Sequence, residues 1–412
     1  MLPQRSFRMC IAACAAACLF FATPCSAQPP KSRLPNPRLF RVRPCGAQPG
    51  TTLDVAVSGD DLDGAESLLF SHPGITARLK AADTPDWGRS ASGPFTVTVG
   101  PDVPPGSYEA RVVGRLGLST SWPFEVSQIP VVVEAEGNES RAAAMPIVPD
   151  TLIDGEMAKN LPNYFRFTAD EGQRFVLAVE SRLLNPKGNL LVHVSGPGGK
   201  LIASGCATRQ RDPVLPFVAQ DGGEHLIQVI DSELDRFRAD GPYRMVLSTR
   251  PLLLGVWPPM AAPATSGSFR LLGHLLPKGE PLLPDRPGRC LEEMPWKITA
   301  PSAPDPIGPG TPFSPRMVAF GIDSFPVRLP RPAPSANAAA VAFAVATPVL
   351  EAEPNDAPDA AQKLPLPCDV AGRFDSPGDL DWYTVAATRV AASSTPEELR
   401  TSQPRRTTSP RV

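Results

Sequence analysis

The chain repeats itself, and a repeat of this length constrains the architecture more than any single motif does. Glu134, Glu136, Asn138 and Glu139 reappear as Glu351, Glu353, Asn355 and Asp356 at an offset of 217 residues, and Gly155 reappears as Gly372 at the same offset. With one inserted residue, Asn163-Tyr164-Phe165 falls on Asp381-Trp382-Tyr383. A second register runs alongside: residues 38–62 align with residues 252–276 at an offset of 214, which puts Pro44 on Pro258, Pro49 on Pro263 and Gly59 on Gly273. The chain therefore reads as one two-domain unit followed by the start of a second.

Within the first unit, short runs alternate apolar and polar residues and are broken by glycine and proline. Residues 39–44, 52–59, 94–100, 107–114 and 122–127 show this period, as do several runs between 131 and 250. Period-2 alternation puts one face of a strand in a core and the other in water, and many such runs joined by turns predict β-sandwiches. The 52 prolines in 412 residues, well over twice the usual ~5%, fit turns and linkers and work against helices. The expected class is all-β: tandem β-sandwich domains with Pro-rich linkers. The expected division is a signal peptide at 1–27, a linker at 28–37, sandwiches at 38–130 and 131–250, a degraded, Pro-rich second copy of the first sandwich at 251–348, a partial second copy of the 131–250 domain at 349–388 and a disordered tail at 389–412.

The second unit looks eroded. Residues 277–348 carry few strand patterns beyond 317–322 and 339–347, and residues 301–316 are too rich in proline to pair in a sheet. The domain opening at Glu351 has no counterpart for the later strands of residues 168–250, and residues 389–412 show no strand pattern. This reads as a truncated or frameshifted copy whose half-sandwich leaves its core open.

The first 27 residues have the form of a secretory signal. Arg5 and Arg8 precede an apolar run from Cys10 to Phe21, and Cys25-Ser26-Ala27 supplies small residues before Gln28. Pro24 argues against a lipoprotein reading through Cys25. The run is shorter than the ~20 residues a membrane span needs, so the expected location is secreted, periplasmic or at the cell envelope, with no membrane span. A net charge of −2 gives no electrostatic footprint for nucleic acid. After cleavage Cys45, Cys206, Cys290 and Cys368 remain, in no paired motif; two disulfides and free thiols both stay open.

Glu351, Glu353, Asn355 and Asp356 place four oxygen-bearing side chains in six residues, and Asp379 and Asp381 follow ahead of Trp382-Tyr383. Hard cations such as calcium take six to eight oxygens from carboxylates, amides and carbonyls. Two loops of this kind facing each other supply such a set. A solvated acidic turn before a strand is the other reading of the same residues.

The opening Glu351-x-Glu353-Pro354-Asn355-Asp356, together with Gly372 and the run from Gly378 to Tyr383, resembles the bacterial pre-peptidase C-terminal domain. This is a small secreted jelly-roll β-sandwich found beside proteases and in multidomain envelope proteins. The resemblance covers about 40 residues around Glu351 and extends, more divergently, to the copy at 131–250. It implies Ca2+ ligands at Glu351, Glu353, Asn355, Asp356 and Asp379, with Asp381 as a sixth. In the first copy Asn163 replaces the aspartate and residues 158–162 hold no acid, so that copy is expected to hold calcium poorly. Binding overall is expected to be weak, roughly millimolar. The order of prolines and glycines from Pro44 to Leu62 is similar to immunoglobulin-like domains of the IPT/TIG type, which implies the fold alone.

Catalysis finds little support. His72, His193, His225 and His274 are scattered, and the chain has no zinc-protease, nucleophile-elbow, P-loop or dinucleotide motif. The expected function is an exported non-catalytic multidomain protein, a spacer or adhesive module whose partner is an extracellular or envelope protein or a polysaccharide. Two alternatives stand beside it: accessory domains of a secreted peptidase or other hydrolase, and a carbohydrate-binding module.

Overall fold

A computed structural model describes residues 34–80, 91–157, 161–182, 184, 188–207, 212–231, 241–282, 291–304, 323–374 and 378–386. The expected signal peptide, most of the first linker, the 317–322 strand and the tail lie outside these residues. The described chain is all-β, with two single-turn 3-10 segments at Arg141–Ala143 and Pro197–Gly199.

The first sandwich pairs Arg38–Arg43, Thr52–Asp60, Ala91–Val99 and Ile75–Leu79 in one sheet. Gly46–Ala47, Trp122–Val126, Gly106–Gly114 and Ser67–Phe70 form the other. Alternation does what it predicts: Val55 and Val57 are buried while Asp54, Ala56 and Ser58 between and beside them face water. Val42, Phe95 and Val97 meet Tyr108, Ala110, Val112 and Phe124 in the core.

The second sandwich has two five-stranded sheets. In order, one is Val131–Val133, Leu152–Met157, Gly241–Ser248, Arg174–Glu180 and Val214–Val218. The other is Met145–Pro146, Asn163–Ala169, Gly223–Asp231, Leu190–Ser195 and Leu201–Cys206. Phe167, Phe175 and Phe217 interlock in its core, with Phe175 and Phe217 stacked at 5.4 Å. His225 is fully buried and stacks on Phe167, a core role for a histidine.

Strand Arg174–Glu180 is buried on both faces after its first residue, which marks a sheet covered on both sides. Phe175, Leu177 and Val179 face the inner core. Val176 and Ala178 face outward and join Leu152, Val246, Cys45, Ile129 and Leu252 in a second cluster drawn from neighbouring sandwiches. Polar contacts seal this seam. Arg41 Nη2 lies 3.2 Å from Asp154 Oδ1, the Cys45 amide donates to Asp154 Oδ2 at 2.9 Å, and Arg244 Nη2 donates to the Pro123 carbonyl at 2.6 Å. The sandwiches are thus not beads on a string but share a buried interface.

The described residues between 251 and 348, expected as a degraded copy of the first sandwich, form a third sandwich with their own core. One sheet runs Leu252–Trp257, Ser266–His274, Glu292–Thr299 and Glu280–Pro281; the other runs Met260–Ala261, Ala339–Phe343 and Ser324–Val327. Leu253, Leu271, Met294, Phe325, Val341 and Phe343 fill the space between. The prolines that hid these strands sit where a missing amide is harmless. Pro326 is on an edge strand, and Pro295 lies beyond the short stretch, Glu292 and Glu293, that pairs with Glu280–Pro281. The cysteines at 45, 206 and 368 are free thiols.

Candidate metal centre

After the third sandwich, Thr347–Leu350 pairs parallel with Cys368–Ala371, and Gln362–Leu364 pairs parallel with Tyr383–Val385. The first copy has the same opening, with Val131–Val133 parallel to Leu152–Met157 and Met145–Pro146 parallel to Asn163–Ala169. The later partners of the first copy have no counterparts among the described residues of the second. Tyr383 and Val385, which align with the buried Phe165 and Phe167, are half-buried and exposed.

The two short pairs bring the acidic loops together. The Glu351 amide donates to the Ala371 carbonyl at 2.9 Å and the Trp382 amide to the Asn355 carbonyl at 2.9 Å, so residues 351–356 are stitched to both partner strands. Glu351 Oε1 accepts from Asn355 Nδ2 at 3.1 Å and from the Tyr383 hydroxyl; Oε2 accepts from the Arg373 amide. The Asn355 amide donates to Glu353 Oε2 at 2.8 Å.

Carboxylate oxygens of Glu351, Glu353 and Asp381 lie within 4.8 Å of one another. Three like charges so close repel, and a cation or a proton must relieve them. Desolvation, then the charges of Glu351 and Asp379, push the Asp381 carboxyl up to about 6. At Glu351 desolvation raises the pKa, but hydrogen bonds from Tyr383, the Arg373 amide and Asn355 win and lower it. Asp356 and Asp379 form an adjoining pair, and the contact with Asp379 raises Asp356. Of the six expected ligands, the fold thus groups Glu351, Glu353 and Asp381 most closely, beside Asn355. Asp356 and Asp379 form the neighbouring pair.

These residues fit a hard divalent cation. Asn355 is completely buried, yet its Oδ1 has no hydrogen-bond partner, and neither has Asp381 Oδ1. A buried acceptor without a donor costs free energy that a bound cation recovers. The donor set is all oxygen, as calcium and magnesium require.

In the first copy the same frame is closed by hydrogen bonds alone. Glu134 Oε1 accepts from Asn138 Nδ2 at 2.7 Å and from the Tyr243 hydroxyl at 3.2 Å, and Oε2 accepts from the Glu156 amide at 2.7 Å. Asn163, on the position of Asp381, donates to the Glu156 carbonyl and the Tyr243 hydroxyl. Burial still raises the Glu134 carboxyl above its ordinary range against these bonds. Sequence reasoning missed the tyrosines. The aligned Gly155 and Gly372 were the signal: they are not turns but the places where a tyrosine crosses the backbone, since a Cβ at 155 would stand 2.2 Å from the Tyr243 ring and one at 372 would stand 2.8 Å from the Tyr383 hydroxyl.

No family model and no curated protein matches the chain. Among solved structures it is similar to the pre-peptidase C-terminal domain of a collagenase from Bacillus anthracis, at 16% identity over 26% of this chain and 94% of that one, TM-score 0.22. It is also similar to PliG of Aeromonas hydrophila, a periplasmic inhibitor of g-type lysozyme, at 15% identity over 29% and 96%, TM-score 0.20. A third likeness is to SGBP-B of a Bacteroides ovatus mixed-linkage glucan utilization locus, solved with a mixed-linkage heptasaccharide, at 9% identity over 47% and 74%, TM-score 0.19. No helix among the described residues is long and apolar enough to cross a membrane.

Proposed function

We propose that this is an exported, non-catalytic multidomain protein that acts as a rigid spacer or binding arm, carrying a calcium site at Glu351, Glu353, Asn355 and Asp381, with Asp356 and Asp379 beside it. The observation that carries the cation reading is the buried, unpartnered Oδ1 of Asn355 next to three converging carboxylates. Support for the arm comes from the continuous seam of apolar and ionic contacts through the sandwiches. The secretory pattern at residues 1–27 supports export. A partner is an extracellular or envelope protein or a polysaccharide, and a role beside a secreted peptidase is the alternative.

Calorimetry of the mature chain with calcium chloride tests the site. Roughly millimolar binding is expected, lost in Asp381→Asn and in Glu353→Gln. Heat of binding unchanged by both substitutions sinks the assignment. A glycan platform receives less support: Trp122 is buried in a core, Trp296 packs half-buried against one and Trp257 lies beneath Arg373, which leaves Trp382 as the one exposed tryptophan among the described residues rather than part of an exposed row.

A further inference from the structure

The two units contain the same inter-sandwich joint, written in different chemistry. In the first unit Arg43, at the end of strand Arg38–Arg43, reaches across to Glu156, with Nη1 donating to Oε2 at 2.8 Å. The offsets of 214 and 217 carry Arg43 to Trp257 and Glu156 to Arg373. There the Arg373 guanidinium lies over the Trp257 ring, 5.6 Å from its centroid. The strands agree in register: Arg43 faces Ala56 and Trp257 faces Arg270, with a bulge between Leu39 and Arg41 in one and between Leu253 and Gly255 in the other. The buried pair Arg41–Asp154 is replaced by Gly255 and Ala371, so neither unit strands one charge of that pair without the other.

Both joints run directly into the acidic motif. Arg43 Nη2 donates to the Glu134 carbonyl at 3.2 Å, and the Glu156 amide holds Glu134 Oε2. In the second unit the Arg373 amide holds Glu351 Oε2. One residue therefore has its backbone in the cation site and its side chain in the joint. The guanidinium is a full positive charge on a long flexible stem, two residues past Ala371, and it competes with any cation for Glu351, Glu353 and Asp381 unless something holds it elsewhere. An aromatic face does so, by cation–π attraction.

We propose that Trp257 is a positioning residue for the cation site: it parks the Arg373 guanidinium on the third sandwich, away from the carboxylates. The proposal rests on the cation reading above.

The test is calorimetry with calcium chloride on the full mature chain. Trp257→Ala is expected to weaken binding about tenfold, the effect of one released unit charge near a divalent ion at roughly 6 Å in water. Arg373→Gln keeps the amide and removes the charge, so it is expected to bind at least as tightly as wild type. The double variant is expected to follow Arg373→Gln. If both single substitutions weaken binding to a similar degree, the joint is only structural and the proposal fails while the cation site stands. If wild type binds no calcium, the cation reading falls and takes the parking role with it. Should Trp257→Ala not fold, Arg373→Gln alone decides, since weaker binding in that variant overturns the parking role.

Discussion

Tyr243 lies across Gly155 on the neighbouring strand with no room for a side chain between them. Its hydroxyl then reaches Glu134 Oε1. In the second copy Tyr383 delivers a hydroxyl to Glu351 Oε1 across Gly372, although it comes from a different strand. The glutamate that opens each motif is thus clamped by a phenol in both copies, and the glycine is the passage that admits it.

Gly155→Ala is expected to destabilise the second sandwich by about 2–3 kcal/mol, because the added methyl collides with the ring and either strand or ring must shift. Tyr243→Phe, which keeps the ring and loses the hydroxyl bonds, is expected to cost about 1 kcal/mol. Urea denaturation of the two variants checks the order, and equal losses would contradict the steric account.

Asn163→Asp replaces an amide donor with a carboxylate facing the Glu156 carbonyl and the Tyr243 hydroxyl, which also bonds Glu134. In calcium-free buffer a loss of about 2–4 kcal/mol is expected from the unmade hydrogen bonds and the added charge. The substitution also restores the acid found at Asp381. Calcium is therefore expected to recover part of the loss, read as a calcium-dependent rise in melting temperature absent from wild-type residues 131–250 in the full chain.

Arg244 is 1% exposed, within 3.3 Å of Glu180 and 3.7 Å of Glu125, and donates to the Pro123 carbonyl. Arg244→Met takes a fully buried cation away from two buried carboxylates, at an expected cost of about 3–5 kcal/mol. Because Glu125 and Pro123 belong to the first sandwich, the first and second sandwiches are expected to loosen together, seen as faster hydrogen exchange in both Trp122–Val126 and Gly241–Ser248. Faster exchange in only one of the two strands would show that the ion network is not shared.

Burial, followed by the negative charge of Asp154, pushes the Cys45 thiol from 9.0 up to about 12. The folded state therefore keeps a proton that the unfolded chain releases above pH 9, so stability falls as pH rises from about 9 to 12. Wild type is expected to lose stability relative to Cys45→Ala across that window by up to about 1.4 kcal/mol per pH unit. Parallel pH profiles for the two proteins would exclude this. Iodoacetamide at pH 8 is expected to label the exposed Cys206 and spare Cys45.

The sequence by itself determined the all-β class, the repeat and the acidic residues, because each is written locally. A strand shows its buried face in every second residue, as Val55 and Val57 do, and a ligand loop such as Glu351–Asp356 is contiguous. The third sandwich was legible only in part: the repeat places a copy of the first sandwich at residue 252, but Pro295 and Pro326 look like breaks until their neighbours show which strand edges carry no partner. The remaining decisions belong to tertiary structure. Arg41 and Asp154 are 113 residues apart in the chain, and Arg244 and Pro123 are 121 apart; no local pattern announces such a meeting. Whether a glutamate is held by hydrogen bonds alone, as Glu134 is, or by hydrogen bonds while facing other carboxylates, as Glu351 is, depends on which distant side chains the sheets bring close, because hydrogen bonds form only within about 3 Å and charge repulsion grows steeply as groups approach.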